Sequence, residues 1–206
     1  GILTFNPFWG YEPERPQWKQ KYLTAEELEL IMTTPLHNAR LYIIRDLFLF
    51  SCYTGISYGD MCLLTKDDLV TDENGTLWIR TSRKKTKVEY EVPLLEVPLH
   101  ILSKYRDVEP NGKLLPMYCN SDVNKYLKTI ATKCGINRRI VFHAARHTYA
   151  TEITLSHGVP LETVSKMLGH TRVDTTQIYA KVTDDKINAD TKRLDNKISE
   201  RFTIAI

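Results

Sequence analysis

Apolar residues recur at helical spacing along most of the chain. Leu28 and Ile31 lie three apart behind Thr24, and Glu27 completes a Thr-x-x-Glu capping box, which predicts a helix starting at Thr24. A second helix is predicted from about Asn38, with Leu41, Ile44, Leu47, Phe48 and Cys52 on its apolar side and Gly55 as its stop. It is expected to form the core. Between Lys66 and Leu95 the pattern shortens to β-prone stretches, roughly Asp68 to Thr71, Thr76 to Thr81 and Val88 to Val92, with Asn74-Gly75 as a turn signal. From Pro98 onward the pattern is helical again, with Ser121 as an expected cap, Gly135 and Gly158 as stops, and Pro160 opening the next helix. Ile187, Thr191, Leu194, Ile198 and Phe202 then form a narrow apolar stripe on a charged helix, which must dock on something. The expected fold class is mainly α with a small three-stranded antiparallel β-sheet, an α+β fold.

The first twenty residues hold Pro7, Pro13, Pro16, Trp9 and Trp18 without helix or strand periodicity, and are read as an extended linker following a domain not in this chain. The expected partition is 1–20 linker, 21–182 main domain and 183–206 C-terminal helix. A length of 206 residues suits one domain, and 42% hydrophobic with 26% charged residues is a globular composition. No apolar run approaches the roughly 18 residues that span a bilayer, and no signal peptide is visible, so a cytoplasmic location without membrane contact is expected. Cys52, Cys62, Cys119 and Cys134 lack CxxC spacing and read as free thiols. A net charge of +3 does not by itself announce nucleic acid.

The segment from Phe142 to Val182 is the richest in chemistry. His143 and Arg146 lie three apart and share a helix face, so both can point at one target. A permanently charged planar fork beside an imidazole that titrates near neutrality suits a phosphodiester. His143 and His147 at i, i+4 could suggest zinc, but the metalloprotease pattern needs Glu where Ala144 stands. His147 and Tyr149 are therefore read as structural. Arg83, Lys84, Lys85 and Lys87 place four cations within five residues on a hairpin, a density suited to tracking phosphates in a groove. Arg138 and Arg139, just before His143, are weaker candidates for holding a phosphate backbone.

With His170 in a Leu-Gly-His run and Tyr179 nine residues later, the segment resembles the tyrosine recombinase (phage integrase) family over about Leu23 to Val182. The resemblance implies a site-specific recombinase catalytic domain whose Tyr179 attacks a scissile phosphate, leaving a 3′-phosphotyrosyl link and a free 5′-hydroxyl. It implies Arg146 as the charge that stabilises the transition state, His143 in proton transfer, and His170 on the phosphate or the tyrosine. The family's hairpin lysine falls on Lys85, as general acid to the leaving oxygen, with Lys84 next because a one-residue slip reverses which side chain faces the DNA. No metal or other cofactor is implied. Partners implied are double-stranded attachment-site DNA, four protomers on two duplexes though a monomer alone, accessory DNA-bending proteins, and a preceding DNA-binding domain.

The first motif box departs from the family. Tyr53-Thr54-Gly55-Ile56 is followed by Ser57 where the family has a catalytic arginine, and a positioned donor is typically worth about 3 to 4 kcal/mol. Arg83, two residues before Lys85, would share its strand face if the strand were regular, and is the candidate replacement, while Arg80 would lie on the other face. A Gly-Ile-Ser box resembles integrases of Bacteroidetes mobile elements, which implies integration and excision of such an element. The alternatives are type IB topoisomerase-like or hairpin-resolvase activity, and a DNA-binding module that has lost catalysis.

Overall fold

In the computed structural model, which describes residues 21–106, 112–180 and 184–199, the first two predicted helix starts carry a capping group. Thr24 Oγ1 accepts the Glu27 N–H while the Glu27 carboxylate accepts the Thr24 N–H, closing the capping box of helix α1, Ala25–Thr33. Asn38 Oδ1 accepts from Arg40 and Leu41 at the start of α2, Ala39–Thr54. Helix α2 is the central element: Ile44, Leu47, Phe48, Phe50 and Cys52 are fully buried. Its buried Asp46 accepts from Tyr105 Oη at 2.9 Å and pairs with Lys104, tying α2 to α4, Glu96–Tyr105.

A short helix α3, Tyr58–Met61, precedes strands β1, Leu69–Thr71, β2, Leu77–Ser82, and β3, Glu89–Pro93, which pair antiparallel in the order β1-β2-β3. Ile79 faces Val92 across the β2–β3 ladder and both are fully buried, which fixes the register by one apolar face. The fold is mostly helical with one small three-stranded sheet, as the pattern predicts. One start differs. Helix α5, Asn120–Lys133, takes Cys119 rather than Ser121 as its first boundary residue, because the Val123 N–H reaches back to the Cys119 carbonyl. This turns Val123, Leu127 and Ile130 toward the core and leaves Ser121 exposed inside the first turn.

Helix α6, Ala144–Thr148, widens to π geometry over Tyr149–Thr154, and Gly158 closes the run in the left-handed conformation. Helices α7, Leu161–Met167, and α8, Asp174–Gln177, follow, then α9, Asp184–Ser199. On α9, Ile187, Leu194 and Ile198 are about half exposed, and the Arg193 guanidinium lies against Gly158. The linker read over 1–20 and Phe202 of the stripe lie outside the described residues. No helix among the described residues is long and apolar enough to cross a membrane.

Phe142 couples this core to the residue that follows it. It is buried, edge-on to Phe48 at 6.0 Å and to Tyr58 at 5.7 Å. Phe142→Ala is expected to cost about 3 to 5 kcal/mol, the range for deleting a buried aromatic ring, read as a lower denaturant midpoint at unchanged m-value.

Candidate active site

Arg146 is 2% exposed, and its guanidinium organises the site. Nη1 donates to the Gly55 carbonyl at 2.8 Å, and Nη2 donates to the Leu168 carbonyl at 2.5 Å and to His170 Nε2 at 3.0 Å. Gly55 has φ +70°, and a Cβ there would collide with the Tyr149 ring and Leu168, so only glycine can end α2 and present its carbonyl. Burial, with Arg83 nearby, brings the Arg146 pKa down to about 10, which leaves it charged at neutral pH.

A guanidinium only donates, so His170 Nε2 must accept and its proton resides on Nδ1, which is 2.8 Å from Thr176 Oγ1. The fully buried Thr176 thereby fixes the tautomer, and its carbonyl accepts the Tyr179 N–H. Tyr179 is 7% exposed, its ring parallel to His170 at 6.4 Å and edge-on to His147 at 5.0 Å. His147 also meets His143 edge-on at 4.7 Å. Burial raises the Tyr179 pKa, while Arg146 and Arg83 oppose the rise. Burial first, then Arg146 and Arg83, holds His143 below the ordinary imidazole range and His170 down to about 4. His147 is also at about 4, from burial and then His143.

The hairpin loop departs from a regular strand, which corrects the face argument for Arg83. β2 ends at Ser82, the Arg83 and Val88 ends are joined by an N–H to carbonyl bond of 2.8 Å, and Lys87 sits at φ +58°. The tight loop turns Arg83 inward and leaves Lys84, Lys85 and Lys87 exposed. Arg83 Nη1 lies 3.0 Å from Asp60 Oδ2, but off the N–H axis, so this buried atom has a counter-ion and no aligned acceptor among the described residues. Gly169, at φ +62°, makes the approach possible, since a Cβ there would lie 2.8 Å from Arg83 Cγ. Arg83 thus sits among Arg146, His143, His170 and Tyr179, close enough to shift all four electrostatically.

Ser57 is the residue before α3, and its hydroxyl donates to Asp60 Oδ2 at 2.8 Å. Asp60, 3% exposed, also accepts the Lys84 N–H at 2.8 Å, so one carboxylate fastens the hairpin loop to the start of α3. The Lys84 stem passes 3.8 Å from a Cβ position at Gly59, and Lys85 is exposed. A cleft of about 400 Å³ opens over Arg146 and His143, walled by Ser57, Tyr58 and Gly59 on one side and Asn120 and Asn124 on the other. A larger groove beside β2 and β3, about 670 Å³, mixes Arg80 and Lys166 with Asp68, Glu89 and Glu91 and gathers no comparable set.

Two other expectations change. Arg138 is committed within the chain, to Glu27 Oε1 at 2.8 Å and Oε2 at 2.5 Å and to the Tyr22 carbonyl at 2.6 Å, where it secures the start of α1. Its neighbour Arg139 is exposed, and Arg80 pairs with Glu91 on the solvent side of the sheet. His147, read as structural, touches the Tyr179 ring, and its position four after His143 was the available signal. Asp60 and Thr176 carry no signal in the sequence, since nothing in a single Asp or Thr marks it as buried.

The depressed histidines have a measurable signature. His147 and His170 should stay neutral in the folded chain down to about pH 4, whereas an unfolded imidazole protonates near 6.5. Between those values the unfolded state binds more protons, so the stability these residues contribute is complete above about pH 6.5 and is lost as the pH falls through the window. Imidazole proton shifts followed by NMR from pH 8 to 5 should remain flat for both residues, and a transition near 6.5 would contradict their burial as neutral rings.

Residues 21–186 match the family model described as the phage integrase family. The tyrosine recombinase XerC of Neisseria gonorrhoeae is 28% identical over 85% of this chain and 59% of its own length. XerD of Listeria monocytogenes is 30% identical over 89% of this chain and 65% of its own. The chain therefore spans about three fifths of these curated relatives. Among solved structures, XerA recombinase superposes with a TM-score of 0.65 at 24% identity over 94% of this chain and 68% of that one. The Tn1549 transposon integrase, in complex with a circular intermediate DNA, gives 0.64 at 18% identity over 88% and 68%. With the matched region covering the core, the sheet and the whole Arg146 cluster, this chain belongs to the phage integrase family.

Proposed function

We propose that this chain is the catalytic domain of a site-specific DNA recombinase that cleaves and rejoins DNA through a covalent bond to Tyr179. The observation that carries the reading is a charge imbalance: the buried Arg146 guanidinium and the partly buried Arg83 guanidinium face one buried carboxylate, Asp60, beside a tyrosine and neutral histidines. Such a hollow favours an anion, and a phosphodiester supplies charge and several acceptors at once.

In the proposed step the Tyr179 oxygen attacks phosphorus, the bond to the 5′-oxygen breaks, and a 3′-phosphotyrosyl link forms. The phenolic proton passes to a neutral histidine, for which His143 at the cleft is suited, and the leaving oxygen takes a proton from Lys85 or Lys84. Arg146 and Arg83 stabilise the developing charge on the non-bridging oxygens, and Arg83 Nη1, with no aligned acceptor, replaces the donor absent at Ser57. Lys84, Lys87 and Arg139 hold the flanking backbone. Relatives named as recombinases and a solved transposon integrase with DNA support DNA as substrate and mobile-element integration and excision as the process; a cytoplasmic location belongs to the same proposal. Four protomers would act on two duplexes, with the α9 stripe docking on a neighbour, residues 1–20 linking to a DNA-binding domain, and accessory bending proteins aiding assembly.

The test is a pool of duplexes randomised around a 5′-bridging phosphorothiolate, whose leaving group needs no general acid. A covalent protein–DNA adduct is expected from the parent chain and none from Tyr179→Phe on a denaturing gel; no adduct from either overturns the reading. Arg83→Ala is expected to slow adduct formation by about 10² to 10³ at saturating protein, the usual loss for one positioned donor, while parent-like cleavage would remove Arg83 from the chemistry. On ordinary phosphodiester, substitution of the general-acid lysine by Ala should abolish cleavage that the phosphorothiolate restores, which decides between Lys85 and Lys84.

A further inference from the structure

We infer that Asn120 is a further DNA-contacting residue of this site, its amide aimed into the cleft by a relay of hydrogen bonds that begins at the backbone beside His143. The inference rests on the DNA-cleaving reading above and adds to it a contact that carries no charge.

The relay has a direction, because some of its members can only donate and others only accept. The Phe142 N–H donates to Asn124 Oδ1 at 2.8 Å, so the oxygen of that amide faces the segment leading into His143. Asn124 Nδ2 must then point the other way. It donates to the Asn120 carbonyl and to Asn120 Oδ1, both at 2.8 Å. A backbone carbonyl can only accept, which fixes the Asn124 orientation a second time and independently. Asn120 therefore turns its side-chain oxygen toward Asn124, and its Nδ2, with two hydrogens, is directed away and meets no acceptor among the described residues.

Both asparagines line the cleft with His143 and Arg146, Asn120 exposed at its edge and Asn124 half-buried behind it. An amide whose acceptor is already consumed recognises acceptors. In a cleft over a buried guanidinium, the matching group is a phosphodiester oxygen of the DNA backbone near the scissile position. A neutral donor suits this wall, since a third cation beside Arg146 and Arg83 would add repulsion in the absence of DNA. Because the same relay ends on the Phe142 backbone, the placement of Asn120 and that of His143 share one scaffold.

Duplexes recovered from the phosphorothiolate pool provide the test on the full chain. Asn120→Asp keeps the shape and turns a donor into an anion, so adduct formation below saturation is expected to fall roughly ten- to a hundredfold, the scale of a hydrogen bond to a charged group. Asn120→Ala should fall less, with an unchanged thermal midpoint. Asn124→Asp retains the acceptor for the Phe142 N–H but loses the donor to Asn120 and adds an anion to the same wall, so it should fall at least as far as Asn120→Ala, and the Asn120→Ala/Asn124→Asp double variant should be no slower than the slower single. A neutral methylphosphonate at one backbone position should restore Asn120→Asp. Parent-like rates in both Asn120 variants would overturn the inference and leave the recombinase reading standing. Rescue by altered bases instead of methylphosphonate would overturn the phosphate assignment, and no adduct from the parent chain would overturn both.

Discussion

A buried guanidinium must have its donors answered, and Arg146 draws its answers from stretches far apart in sequence: the Gly55 and Leu168 carbonyls and the His170 ring. Leaving a buried cation without these acceptors would cost several kcal/mol, so the end of α2 and the turn after α7 are bound to one point. Other local features follow from it. Gly55 must be left-handed and without a side chain for its carbonyl to face inward. His170 must be a neutral acceptor on the Arg146 side, which makes Thr176 its partner on the other. Thr176 in turn holds the turn that carries Tyr179.

Around that point the charge is arranged economically. Ser57, where an arginine is expected by resemblance, is consumed as a cap and a donor to Asp60, and the same carboxylate pairs with Arg83 arriving from the hairpin. A residue at position 57 and one at position 83 therefore converge on one acidic group. The hairpin loop can bring Arg83 this close because Gly169 leaves space for its stem and Lys87 accepts a left-handed backbone to close the loop. Exposed lysines on the same loop remain outside, so the four-cation run divides into one inward and three outward charges.

Regular elements were legible in the sequence because their determinants are local. The Thr24 box, the helix start near Asn38, the Asn74-Gly75 turn and the β-prone stretch from Thr76 to Thr81 each depend on residues close by in the chain. Arg146, His143, His170 and Tyr179 were legible through motif spacing. Features that depend on tertiary closure were not: Arg83 turns inward through a loop that strand periodicity cannot anticipate, Arg138 meets Glu27 from 111 positions away, and Asp60 acquires its importance only when the hairpin folds over it. Ser121 failed as a cap for a related reason, since the burial of Val123 and Leu127 chose the helix start over the better capping residue.

The state of Tyr179 constrains how the proposed reaction can begin. Burial raises its pKa and the two arginines only oppose that rise, so the phenol is protonated at neutral pH. An arriving phosphodiester brings negative charge to the same hollow, which disfavours a free phenolate further. Prior ionisation is therefore unfavourable both with and without DNA. The proton must leave as the oxygen–phosphorus bond forms, so a base has to be present in its neutral form beforehand. Burial and the neighbouring arginines keep the histidines of this site neutral, and the cations that would make poor company for an imidazolium are the ones a phosphate needs. One electrostatic arrangement thus serves the base and the substrate together.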